Sequence, residues 1–227
     1  MSTHSFRIHW LKLRLDDYLW FASLEWGNDN ETSPMIHGYA LSFALSGQER
    51  AFAIGGVPSY EEDLLALDVY ATPARLVDER RSRGLRAVLT FNSIDGPTLL
   101  TSVPRIAEGK ANDPKFGRRQ VLLPGLRFEF VAFTRGSAVI PRVFRLGKKR
   151  SPVVVEECHE VGGSTFRGNA VPSHAINPRD VSSSVTECIV HSIPPHLVYD
   201  RAAIEDDEFV RDGQRVIHVP ERVRRWT

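Results

Sequence analysis

Hydrophobic and polar positions alternate along most of this chain with the period of two that belongs to strands. Phe6, Ile8 and Trp10 alternate with Arg7 and His9, and Leu11, Leu13 and Leu15 alternate with Lys12 and Arg14. The phase slips by one residue at Trp10-Leu11, which predicts a long first strand carrying a bulge. Phe21 to Trp26 reads as its partner. Phe128, Phe130 and Ala132 alternate with Arg127, Glu129 and Val131, so Leu126 to Phe133 is a strand with one face in a core. Further strands are predicted at Asp68 to Val77, where Pro73 argues for a sheet edge or a strand end, and at Ala87 to Phe91, Leu99 to Val103, Pro152 to Val161 and Val185 to Ile193. Phe209 to Ile217 reads as a hairpin on Asp212-Gly213, and Gly162 to Asn177 as a loop.

Helical spacing is clear in one place. Ile36, Tyr39, Ala40, Phe43 and Ala44 fall on one stripe, behind a Thr32-Ser33-Pro34 cap and before Gly47 as the stop. Tyr60 to Leu67 adds a short acidic helical turn. Between residues 80 and 124, the turn sequence Ser93-Ile94-Asp95-Gly96-Pro97 and the polar loop Lys110 to Arg119 describe a basic hairpin projecting from the sheet. One clear helix among many strands, with connections too short for repeated parallel crossovers, predicts an α+β fold on a mostly antiparallel sheet.

Charge changes the picture. The whole chain of 227 residues carries a net charge of only +1. Between Arg75 and Arg150, however, 17 Lys and Arg face 6 Asp and Glu, a balance of +11, while the remainder holds 12 bases against 22 acids, a balance of −10. No acid interrupts the run from Thr134 to Pro152, which contains Arg142, Arg145, Gly147, Lys148, Lys149 and Arg150. Such a cluster repels itself unless solvent or a polyanion answers it, and a glycine among cations lets backbone amides approach a phosphate. The acidic run Glu205 to Glu208 reads as a solvated loop or as a dock for a basic subunit.

Composition is that of a soluble globular chain, with 42% hydrophobic and 25% charged residues. No apolar stretch reaches the length of a membrane span and no signal-peptide layout opens the chain, so a cytoplasmic protein without membrane contact is expected. Two cysteines are too few for a disulfide scaffold. Cys158-His159 and Cys188-Ile189-Val190-His191 supply four possible metal ligands, but neighbours on a strand point to opposite faces; no metal and no cofactor is expected. No phosphate-binding glycine loop, dinucleotide fingerprint or hydrolase motif is present.

Thr32 to Leu45, then Val69-Tyr70-Ala71-Thr72-Pro73-Ala74, then Leu126 to Phe133 with Pro141 to Lys148, resemble in order and spacing the handle-capping subunit of type I-D CRISPR effector complexes. This is the Csc-one or Cas-five family of the RAMP superfamily, and the resemblance covers roughly residues 6 to 157. It implies a single RAMP-type domain over 1-227, with a ferredoxin-like, RNA-recognition-type core, an inserted basic thumb hairpin at 80-124 and a C-terminal β extension over 158-227. It also implies a non-catalytic subunit that caps the 5-prime handle of the guide crRNA. That subunit would contact a large Cas-ten-like subunit, a Cas-seven-like backbone subunit and, beside the PAM, target DNA. The family carries an aromatic residue soon after the Gly-Lys of the loop; here Lys149-Arg150 stand in its place.

RNA binding needs cations for the backbone and flat groups for unstacked bases. Arg142, Arg145, Lys148, Lys149 and Arg150 are the first set of cations, and Lys110, Lys115, Arg118 and Arg119 on the thumb are the second. Tyr39, Phe116 and Phe144 are stacking candidates, with His37 beside Tyr39, although a core position is the ordinary role for Tyr39, His37 and Phe144 alike. A metal-independent ribonuclease that processes the repeat RNA is the alternative, with His37, Tyr39 and a loop lysine as its parts. Helix positions two apart diverge by about 200 degrees, which argues against that assembly.

Overall fold

Two strands far apart in sequence make the centre of the molecule, and both are the ones the alternation marks most strongly. The computed structural model describes residues 6–21, 23–47, 60–77, 85–92, 116–194 and 196–226. In chain order the strands are β1 (Phe6–Leu15), β2 (Leu24–Trp26), β3 (Asp29–Glu31), β4 (Val69–Ala71), β5 (Arg75–Leu76), β6 (Arg86–Asn92) and β7 (Phe116–Leu122). They continue as β8 (Arg127–Arg135), β9 (Val143–Leu146), β10 (Ser151–Glu160), β11 (Ser164–Ala170), β12 (Val185–Ile193), β13 (His196–Asp212) and β14 (Arg215–His218). The helices are short: α1 (Gly38–Ser46), α2 (Tyr60–Leu65) and α3 (Glu221–Arg224). The described chain is therefore mostly β, with fewer helical residues than an α+β reading expects. None of these helices is long and apolar enough to cross a membrane.

The largest sheet runs β4-β8-β1-β10-β9, with β5 also on β8, and every pair in it is antiparallel. The phase slip in β1 is not a bulge of that strand. Its register with β8 is unbroken from Phe6 to Arg14, and the irregularity with β10 lies where Lys12 faces Glu157 and Leu13 faces Val155, which leaves Glu156 of β10 as the extra residue. The phase changes because the strand is covered on different faces at its two ends. Leu11, Leu13 and Leu15 join Phe128, Phe130, Val153 and Phe144 under α1, whereas Ile8 and Trp10 join Val131, Phe133, Ile217, Val223 and Trp226 on the opposite face. Burying a side chain of this size contributes about 1.5–3 kcal/mol each, so both faces are held firmly.

Phe21 to Trp26 is not the partner of β1. Leu24–Trp26 belongs to a separate four-stranded sheet, β2-β3-β7-β6, in which β3 and β7 run parallel. β6 pairs with β7, and residues 116–119, expected in a loop, are strand; residues 93–115, with the expected strand at Leu99 to Val103, lie outside the described residues. Gly162 to Asn177 also contains a strand, β11, which joins β13, β12 and β14 in the C-terminal sheet. The Asp-Gly hairpin is present, with Asp212 facing Arg215 and Gly213 left-handed at φ 59°.

α1 begins later than the Thr32-Ser33-Pro34 cap predicts. His37 is its N-cap, its Nδ1 accepting from the Tyr39 amide at 3.2 Å, and Gly47 closes it at φ 60°. The Thr32 hydroxyl instead bonds the amide and carbonyl of Phe21. Gly38 lets the helix touch β4, since a Cβ there would overlap the Ala71 carbonyl. Ser42 completes that contact, donating to the Gly38 carbonyl at 2.9 Å and accepting from the Ala71 amide at 2.8 Å.

Candidate nucleic-acid interface

The basic segment is the β9–β10 turn, and its form follows from alternation in β9. Phe144 and Leu146 are buried, so Val143 and Arg145 between them face out. Gly147 then turns at φ +75°, the Arg150 amide closes on the Gly147 carbonyl at 3.0 Å, and Arg150 itself is left-handed at φ 54°. Lys148, Lys149 and Arg150 are all exposed at the tip, as are Arg142 and Arg145 beside it.

Gly147 serves packing rather than phosphate approach. A Cβ there would lie 2.7 Å from the Trp20 carbonyl oxygen and 2.8 Å from Leu19, and the Lys148 amide donates to that same carbonyl at 2.9 Å. The next anchor is Ser151, whose hydroxyl donates to the Tyr18 carbonyl at 2.6 Å. The segment from Tyr18 to Trp20 is thus the floor under the turn.

The cations on this rim are poorly compensated. Lys148 has Glu25 at 3.6 Å, an exposed pair of small worth, and the Arg145 guanidinium donates to the Arg150 carbonyl at 3.0 Å. Arg142, Lys149 and Arg150 have no acidic partner among the described residues. Five like charges within nine residues, on a rigid hairpin and facing solvent, set up a local positive potential.

The second set of cations stands differently. Arg118 is held by Asp29 through two hydrogen bonds of 2.6 and 3.3 Å, which lowers the Asp29 pKa and raises that of Arg118. Arg119 is only 8% exposed, its guanidinium 4.0 Å above the Trp20 ring, and burial lowers its pKa. Arg86 pairs with Glu31, Arg127 with Glu156 and Arg135 with Asp68. Much of the positive balance of the middle of the chain is therefore cancelled by acids brought in from its flanks. Lys110 and Lys115 lie outside the described residues, as does the side chain of Phe116.

His37 and Tyr39 do come together, because His37 is a cap rather than a helical residue and its ring folds back on Tyr39 at 4.8 Å. His196 closes over both, at 4.7 and 5.4 Å. Burial, and then His196, lower the His37 pKa to about 3; burial, and then Asp180, push the Tyr39 hydroxyl above its ordinary value. Nε2 of His37 and the Tyr39 hydroxyl are both buried, and Tyr39 is 5% exposed. These rings pack the C-terminal sheet against α1, and Phe144 is likewise a core residue, so neither Tyr39 nor Phe144 presents a face to a base. Cys158 and Cys188 are free and stand on strands of different sheets.

Sequence reasoning missed the exposed aromatics. Trp26, at the end of β2, and Tyr18, in the floor of the turn, are the exposed large rings among the described residues. Trp26 had a signal: it directly precedes the Gly27-Asn28 turn of a hairpin whose strands are three residues long, too short to bury an indole.

A search of curated proteins gives no match. Among solved structures, a CRISPR protein from Archaeoglobus fulgidus aligns with 94% of this chain and 99% of its own, at 12% identity and a TM-score of 0.43. The family profile for Type I-D CRISPR-associated protein Cas5/Csc1 matches residues 6–225. With nearly its whole length matched, the chain belongs to the type I-D CRISPR-associated Cas5/Csc1 family.

Proposed function

We propose that this chain is a non-catalytic subunit of a type I-D CRISPR effector ribonucleoprotein, binding and capping the 5-prime handle of the guide crRNA through the β9–β10 turn. The observation that carries this reading is the rim of exposed cations at Arg142, Arg145, Lys148, Lys149 and Arg150, in which, among the described residues, Lys148 alone has a carboxylate near it. Family membership supports the setting. In the assembled complex the same face would lie near the large Cas-ten-like subunit, the first Cas-seven-like backbone subunit and the PAM duplex of the target.

The connectivity supports a RAMP-type core. β1, α1, β4, β8 and β10 come in that order along the chain, with β2 and β3, α2, β5 to β7 and β9 between them, and the strands stand side by side as β4-β8-β1-β10, the arrangement of a ferredoxin-like β-α-β-β-α-β unit with the β9 hairpin in place of its second helix. The antiparallel β6–β7 pair is the base of the thumb assigned to 80-124, and the C-terminal sheet is the extension over 158-227.

The test is binding of a handle oligonucleotide to the full chain across a salt series. Six phosphate contacts would weaken the affinity by about three orders of magnitude between 50 and 200 mM salt. A flat salt response would refute the reading. Incubation with repeat RNA in EDTA separates it from the ribonuclease alternative, which needs an accessible base; the buried His37 Nε2 does not provide one.

A further inference from the structure

The turn that carries the cations holds no ring, yet a single strand is gripped best where charge for its phosphates adjoins a flat surface for its bases. Of the four tryptophans, Trp10, Trp20 and Trp226 are 7%, 7% and 8% exposed, while Trp26 is 64% exposed. Trp26 lines an open concavity of about 190 Å³ together with Asp29, Asn30, Glu31, Val88, Arg118 and Gln120. Its apolar surface extends onto Val88, which is also exposed. Asp29 and Glu31 are neutralised by Arg118 and Arg86, and the amides of Asn30 and Gln120 offer donors and acceptors. That is the lining of a nucleobase site rather than a phosphate site: a flat apolar platform, near-neutral, with amide edges.

The platform lies across the β2 strand from the basic rim: successive residues of a strand point to opposite faces, so Glu25 faces the turn and Trp26 the other face of the small sheet. Glu25, the residue before Trp26, stands 3.6 Å from the Lys148 ammonium, so the β2–β3 hairpin abuts the β9–β10 turn. We propose that an RNA strand whose phosphates lie along Lys148, Lys149 and Arg150 passes over β2, the terminal strand of the small sheet among the described residues, and stacks one unstacked base on Trp26. This rests on the reading of the turn as an RNA grip and adds to it a base-binding subsite on a different sheet.

Because Trp26 is the one exposed tryptophan, its emission reports on the site directly. The full chain would be titrated with a single-stranded RNA octamer and, separately, with inorganic polyphosphate, which offers charge without bases. RNA is expected to quench the exposed-indole emission, and polyphosphate to compete for binding without quenching. Trp26→Phe should abolish most of the quench while holding the affinity within a few-fold. Trp26→Ala should weaken RNA binding by about 5- to 100-fold with the salt slope unchanged. Salt-dependent RNA binding with no quench and no loss in Trp26→Ala would overturn the stacking site, leave the grip standing and give the ring to a protein neighbour. A loss in Trp26→Ala accompanied by a flattened salt slope would also overturn it, because the ring would then only be supporting the cations. Absence of salt-dependent binding would remove the grip and the subsite together.

Discussion

The β9–β10 turn and the β6–β7 sheet are both basic in sequence, and they differ completely in what the fold does with their charge. In the sheet, Arg86 and Arg118 meet carboxylates and Arg119 lies on Trp20; in the turn, Lys148 alone has an acid within reach among the described residues. Topology makes the difference. β3 runs parallel to β7 and delivers Asp29 to Arg118 from 89 residues away, whereas among the described residues β9 is an edge strand and its tip has only the exposed Glu25 near it. Local charge balance in a sequence is therefore not local potential on a surface.

The sharpest way to break this contrast is to neutralise the turn. Lys148→Ala and Lys149→Ala combined with Arg150→Asn, the asparagine chosen because position 150 is left-handed, should weaken RNA binding by about 100-fold at 0.1 M salt and reduce the salt slope by about 2. Filter binding across salt checks both numbers. Next in size is Gly147→Ala, which forces a left-handed alanine against the Trp20 carbonyl and should cost about 2 kcal/mol or more in urea unfolding, displacing the tip as it does so.

Acid provides a third comparison, because it acts on the buried interior and not on the turn, which contains no histidine. His174 donates from Nδ1 to the Ala175 carbonyl and accepts at Nε2 from the His218 amide, so only the neutral ring fits; burial, the largest influence, lowers its pKa from 6.5 to about 3. Its contribution is complete above about pH 6.5 and is lost as pH falls toward 3. The loss should reach about 2 kcal/mol by pH 5, visible as a falling melting temperature that His174→Gln makes shallower. The smallest effect belongs to Arg118→Ala. Removing this exposed, already paired cation should leave the melting temperature unchanged and RNA affinity within about three-fold. A loss matching that of the turn variant would erase the contrast.

β8, with one clear covered face, stands where alternation places it, and β10, β12 and the Asp-Gly hairpin stand at the runs read as strands. Alternation misled where both faces of one strand are covered in turn, as in β1, because burial by distant elements shifts the phase without any change in the backbone. The start of α1 was displaced because a histidine caps it while Thr32 bonds elsewhere. Of the candidate site, the turn was readable from composition and a glycine. The pairing of Arg118 and the burial of Arg119 were not, since each depends on which strands become neighbours.

Trp20 and Leu19 link the two regions more tightly than their chemistry suggests. The Trp20 carbonyl receives the Lys148 amide, its ring carries Arg119, and Leu19 exchanges backbone hydrogen bonds of 3.0 and 2.9 Å with Leu122. The turn and the small sheet accordingly share one short span of backbone. A ligand that rigidifies the tip will slow amide proton exchange at Leu122 as well, so the small sheet will register occupancy of a surface it does not itself line.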